Sequence, residues 1–550
     1  RIRFAARSID DLSYPVRDIS SPIDPSKTAS NTGRTLPRGL NDTVRSVIND
    51  LAKNKTRSEI YSKLCQHLPE SLLELRYIRG LGIKTIALLY HEKGIKTVDD
   101  LSQALLGDDL TTIKGLGPAK LAKISKGLAF YQSCLGYITA EPVLHIVEEL
   151  RAMNDTRIGI CGKLARGHDI VDEVELLIQE KEDVLTDELI ESSFKRHLKP
   201  GWPLPKITIY RCNPKDFDAM HHWRSCSRVF QKVLHTRCAE LGTEISNGRI
   251  KKQGNVSIDE SISFVHAFYS AIDLPTIPAE LRDEKTTQET IHTDDITALV
   301  SNLICEADLC GDLHMHTTSS DGQHTIEDMR ESAIDAGYQY IAVTDHTKVL
   351  AIANGLDERR LLAQIDDIRN AHDPTHPVRL LAGTEVDILK DGSLDIAIDV
   401  LAQLDWVNAS VHLAHDMPPA RMTERIVSAI QSGVVDCIAH PTGRVLMQRP
   451  SYEVDFRAIC EACLAFNVAL ELNASPRRLD LSAQDLAWVV DQGVKVVISS
   501  DAHHRDHIAR KSLAISTARR ARLRKDMILN TLPWCDLEMI RQDRLEAHYH

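Results

Sequence analysis

The sequence predicts a multidomain α/β protein whose C-terminal half is a barrel of parallel strands, and three observations carry that expectation. A chain of 550 residues exceeds a single core and fits three or four domains at roughly 100–200 residues each. From about residue 300 onward, apolar β-rich runs alternate with helical segments, the pattern of parallel strands joined by crossover helices. Most of those runs end in a side chain able to bind metal, as strands opening on one face of a barrel would.

Composition bounds the rest. With 43% hydrophobic and 26% charged residues, the chain is composed like an ordinary globular protein, and it has no uninterrupted apolar run of about 18 residues to span a bilayer. Its start, "RIRFAARSID", lacks an apolar signal core, so a cytoplasmic protein without membrane contact is expected. Twelve cysteines are scattered without framework spacing. The close pair, Cys460 and Cys463, lies in a segment with helical apolar spacing and reads as reduced core thiols. A net charge of −12 argues against a polyanion partner for the chain as a whole, but residues 31–130 carry 16 Lys and Arg against 10 Asp and Glu. The front of the chain is therefore where such a partner would bind.

That segment contains an internal repeat. "LLELRYIRGLGIKTIALLY" (72–90) and "LTTIKGLGPAKLAKISKGL" (110–128) share a Gly-Leu-Gly turn between apolar helical patterns. Gly80 with Gly82, and Gly115 with Gly117, allow tight hairpins whose backbone N–H groups open onto a helix start, a seat for phosphate. Lys84, Lys120 and Lys123 follow. The tandem resembles helix-hairpin-helix modules, which hold DNA by its backbone without reading sequence.

Further on, "RIGICGKLARGHDIVDEVELLIQEKED" (157–183) reads as strand, turn and an alternating strand in which Glu173 and Glu175 face the same way. Two carboxylates on one strand face suit a divalent ion, or equally the solvent side of a half-buried strand.

Seven runs make the C-terminal pattern. "DLHMH" ends in His314 and His316, "YIAVTDH" in His346, "RLLAGTEVD" carries Glu385, and "WVNASVH" ends in His412. "VVDCIAH" ends in His440, "ALELN" carries Glu471 and Asn473, and "KVVISSDAH" carries Asp501 and His503. Adding Asp321 from the first loop gives six imidazoles and three carboxylates as ligand candidates, more than one catalytic zinc takes from protein, so two or three ions are expected. Such a cluster has surplus positive charge and calls for an anion, and closely spaced ions suit phosphoester hydrolysis. Arg444, just beyond His440, has the planar fork that fits a phosphate.

Together "DLHMHTTSSDG", "VTDH", "GTEVDILKDGSLD", "ASVH", "IAHPTGR", "ELNASPRRLDLS" and "ISSDAHH" resemble the PHP (polymerase and histidinol phosphatase) domain of bacterial family X DNA polymerases. The likeness extends forward through "FVHAFYSAIDLPTIPAELRDE" (264–284) to the tandem hairpins. The resemblance implies a helical region over 1–135 with helix-hairpin-helix motifs, an α+β palm/thumb module over 136–290, and a distorted seven-stranded (β/α) PHP barrel over 296–550. It implies removal of nucleotides from DNA 3′ ends in repair, with two or three divalent ions, zinc or manganese, magnesium or iron being the alternatives. By resemblance His314, His316, Glu385 and Asp501 hold one ion, Asp321, His346 and His503 a second, and His412 and His440 a third bridged by Glu385. Glu385, Asp501 and Arg444 are the expected catalytic groups, and Gly80, Gly82, Lys84, Gly115, Gly117, Lys120 and Lys123 the expected contacts of a monomer with the DNA backbone.

The polymerase-like half departs from the family pattern. "GKLAR" places Lys163 and Ala165 where the family has a Gly-Ser and an Arg pair, Glu173 and Glu175 replace two aspartates, and Thr208 stands for the third. Nucleotidyl transfer needs near-octahedral ions, so loss of synthesis is expected. The alternatives are an active family X polymerase with an exonuclease domain, and a small-molecule phosphatase of the histidinol-phosphate type. A non-catalytic DNA-binding scaffold is disfavoured, because all nine ligand positions are kept.

Overall fold

Both glycine turns close helical hairpins. The computed structural model describes residues 68–548 apart from 108, 155, 181–184, 200, 252–262, 292–293 and 372, so residues 1–67 of the expected N-terminal region lie outside the described residues. Helices α1 (Leu72–Leu75) and α2 (Ile83–Lys93) flank the first turn, and α3 (Val98–Leu106) leads to α4 (Pro118–Cys134) after the second. Gly80 and Gly115 stand at φ 96° and 93°, a left-handed backbone that a side chain would strain. Gly82 and Gly117 cap α2 and α4 without a side-chain hydrogen bond, and neither first turn carries an acidic residue. Lys84 and Lys120 stand there instead, against the helix dipole, an arrangement that a bound anion relieves. Leu75, Ile78, Leu89, Leu101, Leu116 and Ile124 form the core beneath.

The middle module follows. Helix α5 (Ala140–Asn154), strand β1 (Ile158–Ile160), strand β2 (Glu173–Gln179), helix α6 (Asp187–His197) and strand β3 (Lys206–Cys212) make a small α/β layer. Strand β2 is central, antiparallel to β1 and parallel to β3. Ile146, Val147 and Leu150 of α5 and Ile190 and Phe194 of α6 pack on Val174, Leu176 and Ile178 of the sheet. A second core joins Phe230, Leu234, Phe268 and Tyr269 to Ile296 and Leu303, so the helix Asp294–Asn302 packs back onto this module.

Seven parallel strands form the C-terminal sheet in sequential order: β4 (Gly311–Met315), β5 (Tyr340–Val343), β6 (Arg379–Asp387), β7 (Trp406–Ser410), β8 (Cys437–Ile438), β9 (Ala469–Asn473) and β10 (Val496–Ser499). A parallel bridge between Met315 and Ala502 brings the two edges together, which nearly closes the barrel. These strands are buried on both faces, which is why they read as continuous apolar runs. Helices between successive strands cover the outside, Cys460 and Cys463 lying buried as free thiols on Phe456–Phe466. No helix among the described residues is long and apolar enough to cross a membrane.

Ion pairs join the three parts. Asp416, in the loop after β7, accepts from Arg79 at 2.8 Å and Lys123 at 2.6 Å, one cation from each hairpin. Asp169 meets Arg444 at 2.8 Å, and Glu141 meets Arg510 at 3.3 Å. Lys123, expected to contact DNA, is thus held by a barrel carboxylate that competes with phosphate. Exposed pairs of this kind stabilise by about 0.2–1 kcal/mol. Asp416→Ala is accordingly expected to tighten binding of a DNA duplex by up to about fivefold at low salt, read by fluorescence anisotropy. An unchanged or weaker affinity would show that Asp416 does not oppose phosphate at Lys123.

Candidate metal centre

The C-terminal ends of the seven strands bring together all nine side chains that the sequence singled out as ligands. A register shift between Asp312 and Met315 marks a bulge in β4, a feature that re-aims side chains. The His314 and His316 rings lie 5.2 Å apart, and the His316 ring stacks 4.2 Å from both His346 and His503. His440 and Asp501 adopt φ 32° and 53°, strained backbone of the kind that functional sites retain.

Glu385 on β6 is the hub. Its Oε2 lies 3.5 Å from His314 Nε2, 3.6 Å from His316 Nε2 and 2.7 Å from His346 Nδ1, while Oε1 lies 2.8 Å from His440 Nε2 and 3.3 Å from His412 Nε2. Asp501 Oδ1 is 3.2 Å from His316 Nε2 and 3.7 Å from His314 Nε2. Asp321 Oδ1 is 3.4 Å from His346 Nε2 and 3.3 Å from His503 Nε2.

These contacts fit metal ions. Two donors each about 2.0–2.1 Å from a tetrahedral ion lie roughly 3.3–3.5 Å apart, longer than the about 2.7–2.9 Å of a charge-assisted hydrogen bond. Seven of the nine separations exceed the hydrogen-bond range, and four of them lie within 3.3–3.5 Å. His314 Nε2, both nitrogens of His316, Asp321 Oδ1, Glu385 Oε2 and His440 Nδ1 are buried and make no hydrogen bond, a costly state for a polar atom unless an ion satisfies it. Three groups of ligand atoms lie within reach of single ions: His316, Asp321, His346 and His503; His314, His316 and Asp501; and His346, Glu385 and His412. His316 and His346 each belong to two groups, where the sequence-based assignment gave each of them to one ion.

Residues beneath the ligands orient them. His314 Nδ1 lies 2.7 Å from Glu471 Oε1, and Glu471 Oε2 accepts from the His440 backbone N–H at 2.6 Å. His412 Nδ1 lies 3.2 Å from Asp387 Oδ1. A carboxylate behind an imidazole turns its other nitrogen toward the ion. The sequence showed Glu471 as the end of a strand run, but nothing in it separates a ligand from a residue that orients one, and Asp387 escaped notice.

Burial opposes charge on His412, yet the carboxylates of Glu385 and Asp387 outweigh it and push the imidazole up to about 10. His314 is likewise buried, and Glu471, Glu385 and Asp501 hold it well above its ordinary value. Burial, with His503 and His346 alongside, lowers His316 to about 4. At neutral pH the metal-free cluster therefore holds protons on His314 and His412 that an incoming ion must displace. Metal affinity should rise with pH, by about one log unit per pH unit for each displaced proton. Calorimetric metal titration in two buffers of different protonation heat at pH 7 should show net proton release, and none would contradict these assignments.

Arg444 takes partners other than a site anion. Its guanidinium donates to Asp169 Oδ2 at 2.8 Å, to the Arg478 carbonyl at 2.9 Å and to the Leu479 carbonyl, because the loop after β8 turns it toward the middle module. The arginine beside the metal ligands is Arg478, with Nε 3.4 Å from Asp501 Oδ2 and a buried Nη1 that makes no hydrogen bond. A pocket of about 100 Å³ next to Asp501 and His503 is lined by Arg478, His507 and Arg510.

The PHP domain family matches residues 312–475, from β4 to just past β9. A DNA polymerase/3′-5′ exonuclease PolX of Bacillus subtilis (strain 168) is 31% identical over 510 residues, which cover 88% of this chain and 86% of that protein. The chain belongs to the PolX family, family X DNA polymerases with a PHP domain. Probable phosphatases of Thermoanaerobacter sp. (strain X514) and Shewanella sp. (strain MR-4) are 28% and 30% identical over 235 and 246 residues. Those stretches cover 40% and 42% of this chain and 89% and 91% of theirs. Metal-dependent phosphoester hydrolysis is the activity that accords with both likenesses.

In this PolX chain the middle module satisfies its glutamates internally. Thr208 Oγ1 donates to Glu173 Oε1 at 2.5 Å, Lys206 Nζ lies 2.9 Å from the same oxygen, and Tyr210 OH donates to Glu175 Oε2 at 3.2 Å. Glu175 also fills the space over Gly162, where a Cβ would meet its Oε1 at 1.9 Å. Neither glutamate joins a group of three ligand side chains among the described residues.

Proposed function

We propose that this PolX-family chain removes nucleotides from DNA 3′ ends by metal-dependent hydrolysis in its PHP barrel, and that its middle module no longer synthesises DNA. The observation that carries the reading is the convergence of eight candidate ligands about Glu385, the ninth, with buried ligand atoms left without hydrogen bonds; His440 joins no three-residue group but lies 2.8 Å from Glu385. Two or three divalent ions would be held there, the imidazoles suiting zinc and the carboxylates of Asp321, Glu385 and Asp501 suiting manganese. Such ions activate water and neutralise the leaving oxygen. His314, His316, Glu385, Asp501, Asp321, His346, His503, His412 and His440 would be the ligands. Arg478, rather than Arg444, would hold a non-bridging phosphate oxygen at the rim, since its fork stands beside Asp501.

The front hairpins favour DNA over a small phosphoester as substrate. Gly80 and Gly115 shape the turns, Gly82 and Gly117 cap the helix starts, and Lys84 and Lys120 add charge in the first helical turns. A division near residue 135 and, since the helix Asp294–Asn302 packs on the middle module, between Leu303 and Gly311 rather than at 290–296 supports the same plan, with front and middle modules binding and the barrel cutting. The test is digestion of a 5′-labelled duplex after chelation and re-addition of zinc or manganese. The expected product is a ladder shortened one nucleotide at a time from the 3′ end, dependent on metal. Intact duplex under every metal condition would overturn the reading.

A further inference from the structure

A second cluster of ligand side chains lies in the middle module, far from the barrel ends in sequence. Helix α5 carries His145 and Glu149 one turn apart on the same face. Helix α6 packs against α5 through Ile190 and Phe194 and ends in His197. His145 Nε2 lies 3.4 Å from Glu149 Oε1, and His197 Nε2 lies 3.7 Å from Glu149 Oε2. One ligand atom from each residue lies within 4.8 Å of the others. The first separation matches the roughly 3.3–3.5 Å between two donors that share a zinc ion, the second is slightly wider, and both exceed the about 2.7–2.9 Å of a charge-assisted hydrogen bond.

The tautomer of His197 favours the same conclusion. Its Nδ1 stands 2.9 Å from the Ser193 carbonyl oxygen, which can only accept, so Nδ1 carries the hydrogen, and in the neutral ring Nε2 is left with a lone pair on the side of Glu149. A metal-binding histidine is oriented in this way, with the second nitrogen donating to a backbone carbonyl. Glu149 and His197 are 19% and 20% exposed and His145 is 42% exposed, which gives an ion a route in and leaves a side open for water.

We infer that His145, Glu149 and His197 form a third-party clip for α5 and α6: a divalent-cation site of zinc type, independent of the barrel cluster. Two imidazoles and one carboxylate suit zinc or cobalt(II), whereas magnesium and calcium favour all-oxygen shells. With three protein ligands and water as the fourth, the ion would cross-link the two helices over the sheet that carries Glu173 and Glu175.

The experiment compares the full chain with His145→Ala and His197→Ala after saturation with zinc at pH 7.5 and removal of excess ion by gel filtration. Each variant is expected to retain one zinc equivalent fewer than the parent, to keep its 3′-end hydrolysis, and to lose zinc-induced hydrogen-exchange protection across residues 140–154 and 187–197. His145 is half-exposed, so its replacement leaves the core intact, and circular dichroism verifies this. Equal zinc content in the parent and both variants, or protection of these helices that zinc does not change in the parent, would overturn the assignment and leave a hydrogen-bonded trio only.

Discussion

Glu385→Ala is expected to release more than one equivalent of metal and to reduce 3′-end hydrolysis by on the order of 10³-fold, since metal-based stabilisation of the transition state is worth several kcal/mol. The side chain stands within 3.6 Å of five imidazoles. Burial alone would raise its pKa, but His412, His346 and His314 hold it well below the usual carboxylate range, so at neutral pH it contributes a full negative charge at the centre of the cluster. Deleting it removes a shared ligand and leaves cations that repel one another. Glu385 is buried on β6 and its ion-pair partners are barrel histidines, none of them a hairpin residue, so DNA binding should persist. Elemental analysis, a nuclease assay and duplex binding on one preparation check the three parts. A variant with full metal content and parental cutting would remove Glu385 from the centre.

Templated primer extension is expected to be absent with magnesium or manganese, at least about 10⁴-fold below an active enzyme, because two ions each contribute several kcal/mol to nucleotidyl transfer. Where the family resemblance leads one to expect three aspartates, this chain has Glu173, Glu175 and Thr208. Strand register sets Lys206 opposite Glu173 and Thr208 opposite Glu175, so the neighbouring strand supplies donors where a third ligand would be needed. The Thr208 hydroxyl and the Lys206 ammonium hold Glu173 below its usual range, the electrostatic role that an ion would otherwise fill. Robust synthesis by the parent that disappears in Glu173→Ala with Glu175→Ala would show a working polymerase site.

The barrel's candidate ligands were legible because all but Asp321 stand at or near the end of an apolar run, and parallel strands leave one face for their ends to share. The hairpins were legible because the Gly-Leu-Gly turn recurs in tandem between apolar helical patterns, where a single copy would not have told them from a plain helix-turn-helix scaffold. Arg444 misled for a physical reason. Proximity in sequence to His440 says nothing of where a loop turns, and the loop delivers Arg444 to Asp169 while Arg478, five residues past Asn473, reaches Asp501. Asp416 was invisible for the same reason, since its partners Arg79 and Lys123 lie about three hundred residues away in the chain. Glu471 and Asp387 share the residue types and strand positions of ligands. Only the distances to His314 Nδ1 and His412 Nδ1 assign them the orienting part.

The most direct test of the account is the ratio of kcat/KM for the 3′ end of a DNA duplex to that for a small phosphate monoester, measured on the zinc- or manganese-loaded full chain. With hairpins that seat the backbone and a barrel that cuts, the ratio should favour DNA by a wide margin. It should fall when Lys84 and Lys120 are replaced by alanine, each lost phosphate contact reducing the log–log salt slope of binding by roughly 0.9. A ratio that favours the monoester and ignores the hairpin lysines would contradict the account and make the barrel a small-molecule phosphatase.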